Sequence, residues 1–345
     1  MTRELAIGPD FPALVIAEIG VNHDGSMARA IELLHAAKEA GADAAKLQLF
    51  RADRLMHPSG GFADYQKKKV SDDSARDMLR RYELSDKSVK KIAAEADRLE
   101  LWLLATPFSP GDLALVEELD LPAIKIASPD LVNKPLLKQA AGLGRPLLLS
   151  TGAANLDEID RTVVWMVEWG GPFALMHCVS AYPTPSSEAH LNWIMELRSR
   201  YGVPVGFSDH TCEIVSGGLA VAAGAKMIEK HLTFDRAAAG PDHAASLDGK
   251  DFAQYVAGIR KAELMLGGPK DGKRVLRIEQ DVRRVSRQSL VAARAIGKGK
   301  KIAAKDLTVQ RPGTGIAAAE VDEVIGKTAA RAIRAGEMLS RDMVK

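Results

Sequence analysis

Short apolar runs recur along the first two-thirds of the chain, and each is followed by a segment whose apolar residues repeat with helical spacing. This alternation is typical of parallel strands joined by crossover helices. The predicted strands are Ala13–Ala17, Ala44–Leu49, Leu101–Ala105, Ala123–Ile126, Pro146–Leu149, Phe173–Met176, Val203–Phe207 and Lys226–Ile228. Eight strands are the number that closes a (β/α)8 barrel, so the sequence predicts an α/β TIM barrel.

Helix-period segments lie between these strands, and several of them end at a glycine, which commonly follows a helix. The predicted helices include Met27–Ala40, Lys87–Leu99, Asp112–Glu118, Leu156–Glu168 and Lys250–Leu266. About 250 residues is typical of such a barrel. We therefore predict that the barrel comprises residues 1–266.

A basic, glycine-containing stretch at residues 267–274 interrupts this pattern and indicates an exposed connection. The remaining segment alternates short β-like runs, Ser289–Ala292 and Leu307–Gln310, with turn residues. We predict a linker at 267–284 and a small β-rich domain at 285–345.

The composition of the chain narrows the range of functions it could have. The 345 residues are 46% hydrophobic and 27% charged, which is ordinary globular composition, and 47 basic against 45 acidic residues leave a net charge of +2. This balance favours neither nucleic acid nor membrane as a partner. Two cysteines are too few for a disulfide framework, and no leader-like segment or long apolar run is present. We expect a cytoplasmic protein.

Polar residues follow or end the predicted strands. They are Glu18, Lys46, Gln48, Thr106, Lys125, Ser128, Asp130, Ser150, Ser180, Tyr182, Ser208, His210, Glu229 and His231. In a (β/α)8 barrel the carboxyl ends of the strands carry the chemistry, so these residues are expected to meet at one face. Each hydroxyl alone could simply cap a helix, but the whole set predicts a site.

Two lysines within apolar strands, Lys46 and Lys125, are costly to bury unless an anion meets them. With the neighbouring hydroxyls they predict a receptacle for a small, multiply charged anion such as a phosphate ester with a carboxylate. The same lysines also admit Schiff-base chemistry, as in an aldolase, because a desolvated lysine can act as a nucleophile.

His210 and His231 lie at the ends of the predicted seventh and eighth strands, which are neighbours in a closed barrel. Two imidazoles placed in this way predict a divalent metal site, with water or substrate oxygens as the remaining ligands. The other histidines considered are expected to make structural hydrogen bonds. They are His23, His177, His190 and His243.

Ordered motifs along nearly the whole chain resemble those of the sialic acid synthases, which include N-acetylneuraminate, legionaminate and pseudaminate synthases and a spore coat polysaccharide relative. The motifs are AEIGVNHDG (17–25), AKLQ (45–48), ATPFS (105–109), IKIAS (124–128), LSTG (149–152), HCVSAYPTP (177–185), GFSDHT (206–211) and IEKHLT (228–233). In the tail, QRPGTG (310–315) resembles the antifreeze-like (SAF, β-clip) domain of that family.

The resemblance implies a transferase that condenses phosphoenolpyruvate with an open-chain N-acetylmannosamine-type sugar, releasing phosphate and a nine-carbon 2-keto-3-deoxy acid. It also implies a bound divalent ion, Mn²⁺ or alternatively Mg²⁺ or Co²⁺, held by His210 and His231. The residues implied for phosphoenolpyruvate are Lys46, Thr106, Lys125, Ser128, Ser150, Ser180 and Ser208. The candidate catalytic residues are Glu18, Asp130 and Glu229.

The sugar is expected to contact Gln48, Tyr182 and Asp242. The resemblance further implies a domain-swapped homodimer in which Arg311 of one chain reaches the sugar bound by the other. Three positions depart from the family pattern: Pro129 and Asp130 replace the usual Gly-Glu, and Thr314 stands where asparagine is common. Some members also have asparagine at Ser180. The segments 63–67 and 240–247 resemble the neuraminate and legionaminate branch.

Three other functions stay open at this point. A related enzyme that condenses phosphoenolpyruvate with a phosphorylated sugar would need a second basic cluster, which the sequence does not reveal. A lysine-dependent aldolase would use Lys46 or Lys125 covalently. A non-catalytic carbohydrate- or ice-binding protein would not need to retain the polar strand ends.

Overall fold

The computed structural model describes residues 5, 7–8, 10–61, 74–267 and 272–345. The chain divides into two compact units, Met1–Gly268 and Pro269–Lys345. The strands of the first unit are β1 (Leu14–Glu18), β2 (Ala44–Leu49), β3 (Trp102–Pro107), β4 (Ile124–Ile126), β5 (Leu147–Ser150), β6 (Phe173–Cys178), β7 (Val205–Asp209) and β8 (Met227–His231).

These eight strands form a closed parallel barrel in sequence order. The ring closes where β8 pairs with β1, with Leu14 opposite Met227 and Glu18 opposite His231. The prediction of a TIM barrel from the alternating apolar runs is therefore confirmed. Five strands continue one or two residues beyond the predicted runs and β8 continues three, because the apolar pattern omits polar end positions such as Glu18, Ser150 and His231.

Residues alternate between the two faces of each strand, as the strand period of two requires. A compact apolar cluster fills the barrel interior: Leu14, Ile16, Ala44, Leu104, Ala123, Leu148, Ala174, Met176 and Met227. The intervening residues, such as Val15 and Leu47, belong to the larger core that includes the surrounding helices. The next inward positions towards the carboxyl ends of the strands are polar.

Helices follow the strands and cover the barrel. They are α1 (Met27–Glu39), α2 (Ala52–Leu55), α3 (Ala75–Tyr82), α4 (Asp86–Arg98), α5 (Pro110–Glu118), α6 (Lys134–Gly142), α7 (Leu156–Trp169), α8 (Asn192–Tyr201), α9 (Ser216–Ala222) and α10 (Gly249–Leu266). Side chains that cap the helix N-termini explain where several helices begin. Ser26 accepts a backbone hydrogen bond at the start of α1, and Asn155 and Glu158 form a capping box at the start of α7.

The second unit is a small β-rich module. Its two-stranded antiparallel sheet pairs β9 (Ser289–Ala292) with β10 (Leu307–Gln310), at the bounds predicted from the sequence. Isolated bridges such as Ile296 with Ile333 extend the β structure. A separate apolar core holds it together: Leu290, Ala292, Ile296, Ile302, Ile316, Val324, Ala329, Ile333, Leu339 and Met343.

Two short helices complete this unit, α11 (Gln280–Ser286) and α12 (Val321–Val324). The predicted linker at 267–284 overlaps α11, and part of it, residues 268–271, lies outside the described residues. The predicted domain boundaries stay a prediction. Within the described ranges, every helix is too short or too polar to cross a lipid bilayer.

Candidate active site

A cavity of about 520 Å³ opens at the carboxyl ends of the barrel strands. Its lining includes every barrel candidate that the sequence identified: Glu18, Lys46, Gln48, Thr106, Lys125, Ser128, Asp130, Ser150, Ser180, Tyr182, Ser208, His210, Glu229, His231 and Asp242. The remaining candidate, Arg311, has an exposed side chain in the second unit. Residues from all eight strand ends therefore meet in one concave space.

Two lysines and two glutamates form a charged cluster on the floor of the cavity, and each is at most 4% exposed. Lys46 contacts the carboxylate of Glu18 and donates to Thr106 Oγ1 at 2.9 Å. Lys125 Nζ lies 3.1 Å from Glu229 Oε1. Because Lys46 Nζ also lies 3.9 Å from Glu229 Oε2, the four groups form one continuous network.

The two carboxyl groups have opposite pKa shifts. Burial raises the pKa of Glu229, but Lys125, Lys46 and the hydroxyl of Ser208 outweigh it and hold the pKa at about 2. Burial, reinforced by repulsion from Glu229, raises the pKa of Glu18 to about 7 against the attraction of Lys46. Glu229 is thus a fixed negative charge, whereas Glu18 can gain or lose a proton near neutral pH.

The amine of Lys46 stays charged. Burial alone lowers its pKa, but the nearby Glu18 and Glu229 carboxylates outweigh that effect, and the pKa lies above its ordinary value. A protonated amine is a hydrogen-bond donor and a positive charge, and it is not a nucleophile.

Hydroxyl groups form a second wall around Gly152, which follows β5. The Gly152 amide donates to Ser128 Oγ at 3.1 Å, and a Cβ on Gly152 would lie within 3 Å of Ser180 Oγ, Ser128 Oγ and Cys178 Sγ. The Ser150 hydroxyl is buried and has no hydrogen-bond partner among the described residues. Donors of this kind, next to Lys125, suit the oxygens of an anion.

The rings of His210 and His231 lie with their centroids 5.5 Å apart, and the ring of Tyr182 covers His210 at 4.0 Å. His210 Nδ1 is 2.8 Å from the carbonyl oxygen of Val179, so Nδ1 donates, and in the neutral ring Nε2 is the nitrogen that keeps a lone pair. His231 Nδ1 is buried with no hydrogen-bond partner among the described residues, and the nearest Asp242 oxygen is 3.7 Å away.

Burial and repulsion from His210 lower the pKa of His231 well below its ordinary value, so this imidazole is neutral. For His210, burial lowers the pKa, but Cys178 and the Val179 carbonyl outweigh it and raise the pKa. A neutral ring and a more basic ring are both suitable nitrogen ligands. In the described part of the chain, no group of three or more His, Cys, Asp and Glu side chains is arranged to hold a metal.

The rim of the cavity holds the remaining candidates. Asp130 lies in a 3₁₀ turn after β4, where its carboxylate accepts a hydrogen bond from Asn133 Nδ2 at 2.9 Å and burial raises its pKa. Gln48, Tyr182 and Asp242 line the cavity from β2 and from the loops after β6 and β8. Their chemistry, an amide, a phenol and a carboxylate, suits hydroxyl and amide groups of a polar ligand.

Part of the cavity lining is not predicted by the sequence pattern. Cys178 ends β6 on an inward position, where its thiol lies 3.8 Å from His210 Nδ1 and 3.5 Å from Ser128 Oγ. The strand period of two places Cys178 inward, but a thiol is not one of the polar side chains that mark the other strand ends. An apolar cluster of Val21, Phe50, Met78 and Tyr82 borders the cavity, and its loop and helix positions carry no periodic signal.

The four histidines expected to have structural roles do make hydrogen bonds. Their partners are Gly25 N for His23, Ala189 O for His177, Glu188 for His190, and Thr233 and Asp24 for His243. This prediction is confirmed.

A closed parallel barrel with lysines, carboxylates and imidazoles gathered at the carboxyl ends of its strands has the architecture of a TIM-barrel enzyme. Comparison with known protein families identifies the family of this chain. The NeuB family model matches residues 33–271, and the SAF domain model matches residues 287–345. The chain belongs to the NeuB family of carbon–carbon bond-forming synthases of sugar biosynthesis, and it carries a C-terminal SAF domain.

The chain is 36% identical to an N,N'-diacetyllegionaminic acid synthase of Legionella pneumophila, over 96% of this chain and 94% of the relative. A solved N-acetylneuraminic acid synthetase of Leptospira borgpetersenii is 33% identical, with a TM-score of 0.73 over 80% of this chain and 92% of that one. A solved structure of a putative spore coat polysaccharide biosynthesis protein E of Chromobacterium violaceum is 28% identical, with a TM-score of 0.82 over 96% of this chain and 99% of that one.

Proposed function

We propose that this enzyme condenses phosphoenolpyruvate with an open-chain 2-acetamido sugar of the N-acetylmannosamine type, giving a nine-carbon 2-keto-3-deoxy acid and phosphate. The observation that carries the proposal is the cluster of Lys46, Lys125, Glu18 and Glu229 beside the pair His210 and His231 in one cavity. The names of the relatives support the same class of product.

Phosphoenolpyruvate presents a carboxylate and a phosphate, and the proposed binding groups supply charge and donors for both. Lys46 and Lys125 neutralise negative charge, and the hydroxyls donate hydrogen bonds. The hydroxyl donors are Thr106, Ser128, Ser150, Ser180 and Ser208. The buried Ser150 hydroxyl supports this assignment, since a buried polar group without a partner is costly and a ligand oxygen would satisfy it.

We assign a divalent ion, Mn²⁺ with Mg²⁺ and Co²⁺ as alternatives, to His210 and His231. The residues fit such an ion, because His210 has its Nε2 lone pair available and His231 carries a buried, unpartnered Nδ1. Water and substrate oxygens would complete the coordination. When bound, the ion would act as a Lewis acid towards the aldehyde oxygen of the sugar.

The chain's own residues account for the proton transfers. The C2=C3 π electrons of phosphoenolpyruvate form a bond from C3 to the aldehyde carbon, whose oxygen takes up a proton, and water adds to the electron-poor C2 with loss of one proton. The C2–O bond to phosphate then breaks, and the hydroxyl on C2 passes its remaining proton to the departing phosphate and becomes the keto group. Glu18, with its pKa of about 7, is the proposed proton donor to that oxygen. Asp130 is the proposed acceptor for the proton of the added water, and Glu229 keeps Lys125 and Ser208 in place.

The sugar is proposed to contact Gln48, Tyr182 and Asp242 in the barrel and Arg311 of a partner chain in a domain-swapped homodimer. Similarity to an N,N'-diacetyllegionaminic acid synthase at 36% identity favours a diacetamido acceptor, and similarity to an N-acetylneuraminic acid synthetase at 33% identity favours N-acetylmannosamine. Segment 63–67, which resembles the same branch, lies outside the described residues. We place the enzyme in the cytoplasm, where phosphoenolpyruvate is available.

Two alternatives lose support. A second phosphate on the acceptor would need further cations, but among the described lining residues only Lys46 and Lys125 are cationic. A Schiff-base aldolase would need an uncharged lysine, whereas Lys46 is paired with Glu18 and its pKa is raised.

The test is phosphate release measured with a panel of amino sugars, with product mass as a second readout. We expect release only when phosphoenolpyruvate, a 2-acetamido sugar and Mn²⁺ are all present, and none after treatment with a chelator. Turnover that continues in chelator would overturn the metal assignment. A covalent adduct trapped by borohydride at Lys46 or Lys125 would overturn the condensation in favour of the aldolase.

A further inference from the structure

A charged pair lies behind the active site, on the faces of β7 and β8 that point away from the cavity. Asp209 and Lys230 are register partners on these neighbouring strands, and Lys230 Nζ lies 3.3 Å from Asp209 Oδ2. Both side chains have an exposed fraction of 0%. Neither residue lines the cavity, and none of the roles proposed above uses them.

Asp209 and Lys230 both make hydrogen bonds to the backbone of Thr211, the residue after the proposed metal ligand His210. Asp209 Oδ1 accepts the N–H of Thr211 at 2.8 Å, and Lys230 donates to the carbonyl oxygen of Thr211. Thr211 directly follows His210, whose own carbonyl accepts the N–H of Thr184 at 2.8 Å. The peptide groups around His210 are therefore fixed by named hydrogen bonds.

Helices α9 and α10 complete the network. Tyr255 from α10 donates to Asp209 Oδ2 at 2.8 Å, and Ser216 from α9 donates to the same oxygen at 2.5 Å. The Lys230 amine lies 5.5 Å from the centroid of the Tyr255 ring. Asp209 thus accepts hydrogen bonds from two helices as well as from its own strand end.

Stability alone does not explain such a pair. Removing two charges from water costs several kcal/mol per ion, and replacing a buried ion pair by apolar side chains of similar volume is often neutral or stabilising. The pair fixes the positions of neighbouring site residues. In the sequence, Asp209 lies between Ser208 and His210, and Lys230 lies between Glu229 and His231. An apolar pair would leave the Thr211 backbone without these partners.

We propose that Asp209 and Lys230, with Tyr255 and Ser216, are positioning residues that fix the spacing of the His210 and His231 imidazoles for a divalent ion. The inference rests on the proposed function, since it takes these imidazoles as metal ligands. Groups that orient ligands from behind typically change metal affinity by about 10- to 100-fold when they are removed.

The experiment compares Mn²⁺ affinity in the full-length variants Lys230→Met and Tyr255→Phe with the wild type, by electron paramagnetic resonance of free Mn²⁺ in metal-free protein. Lys230→Met keeps the volume and removes the charge, whereas Tyr255→Phe removes one hydroxyl and is the milder change. The matched control is Arg260→Met, which removes the ion pair with Asp43 from the same helix, α10. Thermal unfolding of each metal-free protein is measured in parallel.

We expect a weakening of Mn²⁺ binding of about 10- to 100-fold in Lys230→Met, a smaller weakening in Tyr255→Phe, and wild-type affinity in Arg260→Met. Wild-type affinity in both network variants would overturn the positioning role while leaving the metal site intact. An absence of Mn²⁺ binding in the wild type would instead overturn the metal assignment itself. If Lys230→Met does not fold, the comparison between Tyr255→Phe and Arg260→Met decides the question.

Discussion

Lys125 and Glu229 are 104 residues apart in the sequence, yet their charged atoms lie 3.1 Å apart on the floor of the barrel. Both side chains are only 4% exposed. At this depth a lysine without a carboxylate or a bound anion would be strongly destabilised. Glu229 therefore supplies the opposite charge that allows a lysine to lie on the buried floor of the proposed anion site.

Replacing Lys125 by methionine should raise the KM for phosphoenolpyruvate by about 10- to 100-fold, the size expected for the loss of one charged hydrogen bond. Steady-state kinetics with saturating sugar measures the change. Lys138→Met on the exposed face of α6 is the matched control and should keep wild-type kinetics. An unchanged KM in Lys125→Met would exclude this lysine from the anion site.

The pH dependence of kcat/KM, which reflects ionisations of the free enzyme, should contain an apparent pKa near 7 that belongs to Glu18. Because the proposed donor is the protonated carboxyl, the rate should be highest below pH 7 and should fall as the pH rises through that value. Glu18→Gln should lower kcat by about 10²- to 10⁴-fold and remove this limb of the profile. A variant that keeps the same limb would assign the titration to another group.

Gly152→Ala should weaken binding of phosphoenolpyruvate by about tenfold, since the new methyl group would overlap Ser128, Ser180 and Cys178. Gly142→Ala is the control, because a Cβ there meets no atom within 4 Å and lies at the end of α6. Binding is measured by titration calorimetry, and the thermal unfolding of both variants is compared. Equal affinity in the two variants would contradict the crowded hydroxyl wall.

His231→Ala should abolish Mn²⁺ binding and lower kcat/KM by more than about 100-fold. The loss should be at least as large as that caused by removing a residue that only orients a metal ligand. His190→Ala removes an exposed imidazole bonded to Glu188 and should behave like the wild type. Metal content after dialysis and phosphate release are the two measurements. Full activity in metal-free His231→Ala would be incompatible with the proposed site.

The barrel and much of its polar lining could be predicted because both depend on the strand period. An inward apolar residue such as Ile16 is followed two positions later by Glu18, and Ala44 is followed by Lys46 in the same way. Once parallel strands were identified, the polar ends had to meet. The two strands of the C-terminal unit were also predicted, because Ser289–Ala292 and Leu307–Gln310 are short β-like runs.

Other features depend on contacts that a linear pattern does not contain. The helix α3 was not predicted, and it brings Met78 and Tyr82 to the cavity from a region without strand periodicity. The pKa shifts of Glu18 and Glu229 are opposite because burial and repulsion from Glu229 outweigh Lys46 at Glu18, whereas Lys125 and Lys46 outweigh burial at Glu229. This balance depends on the three-dimensional arrangement of four strands. The role of Asp209 and Lys230 is hidden because they resemble any other charged residues until their burial is known.

The junction between β1 and β8 joins the first strand of the barrel to the last, with Glu18 opposite His231 across it. Contacts so distant in sequence form late, because the chain between them must first be ordered. A chain in which β8 has not yet paired with β1 would still lack the alignment of Glu229 and His231 with the rest of the proposed site. Recovery of turnover during refolding should therefore lag behind recovery of secondary structure and report the moment at which the ring becomes continuous.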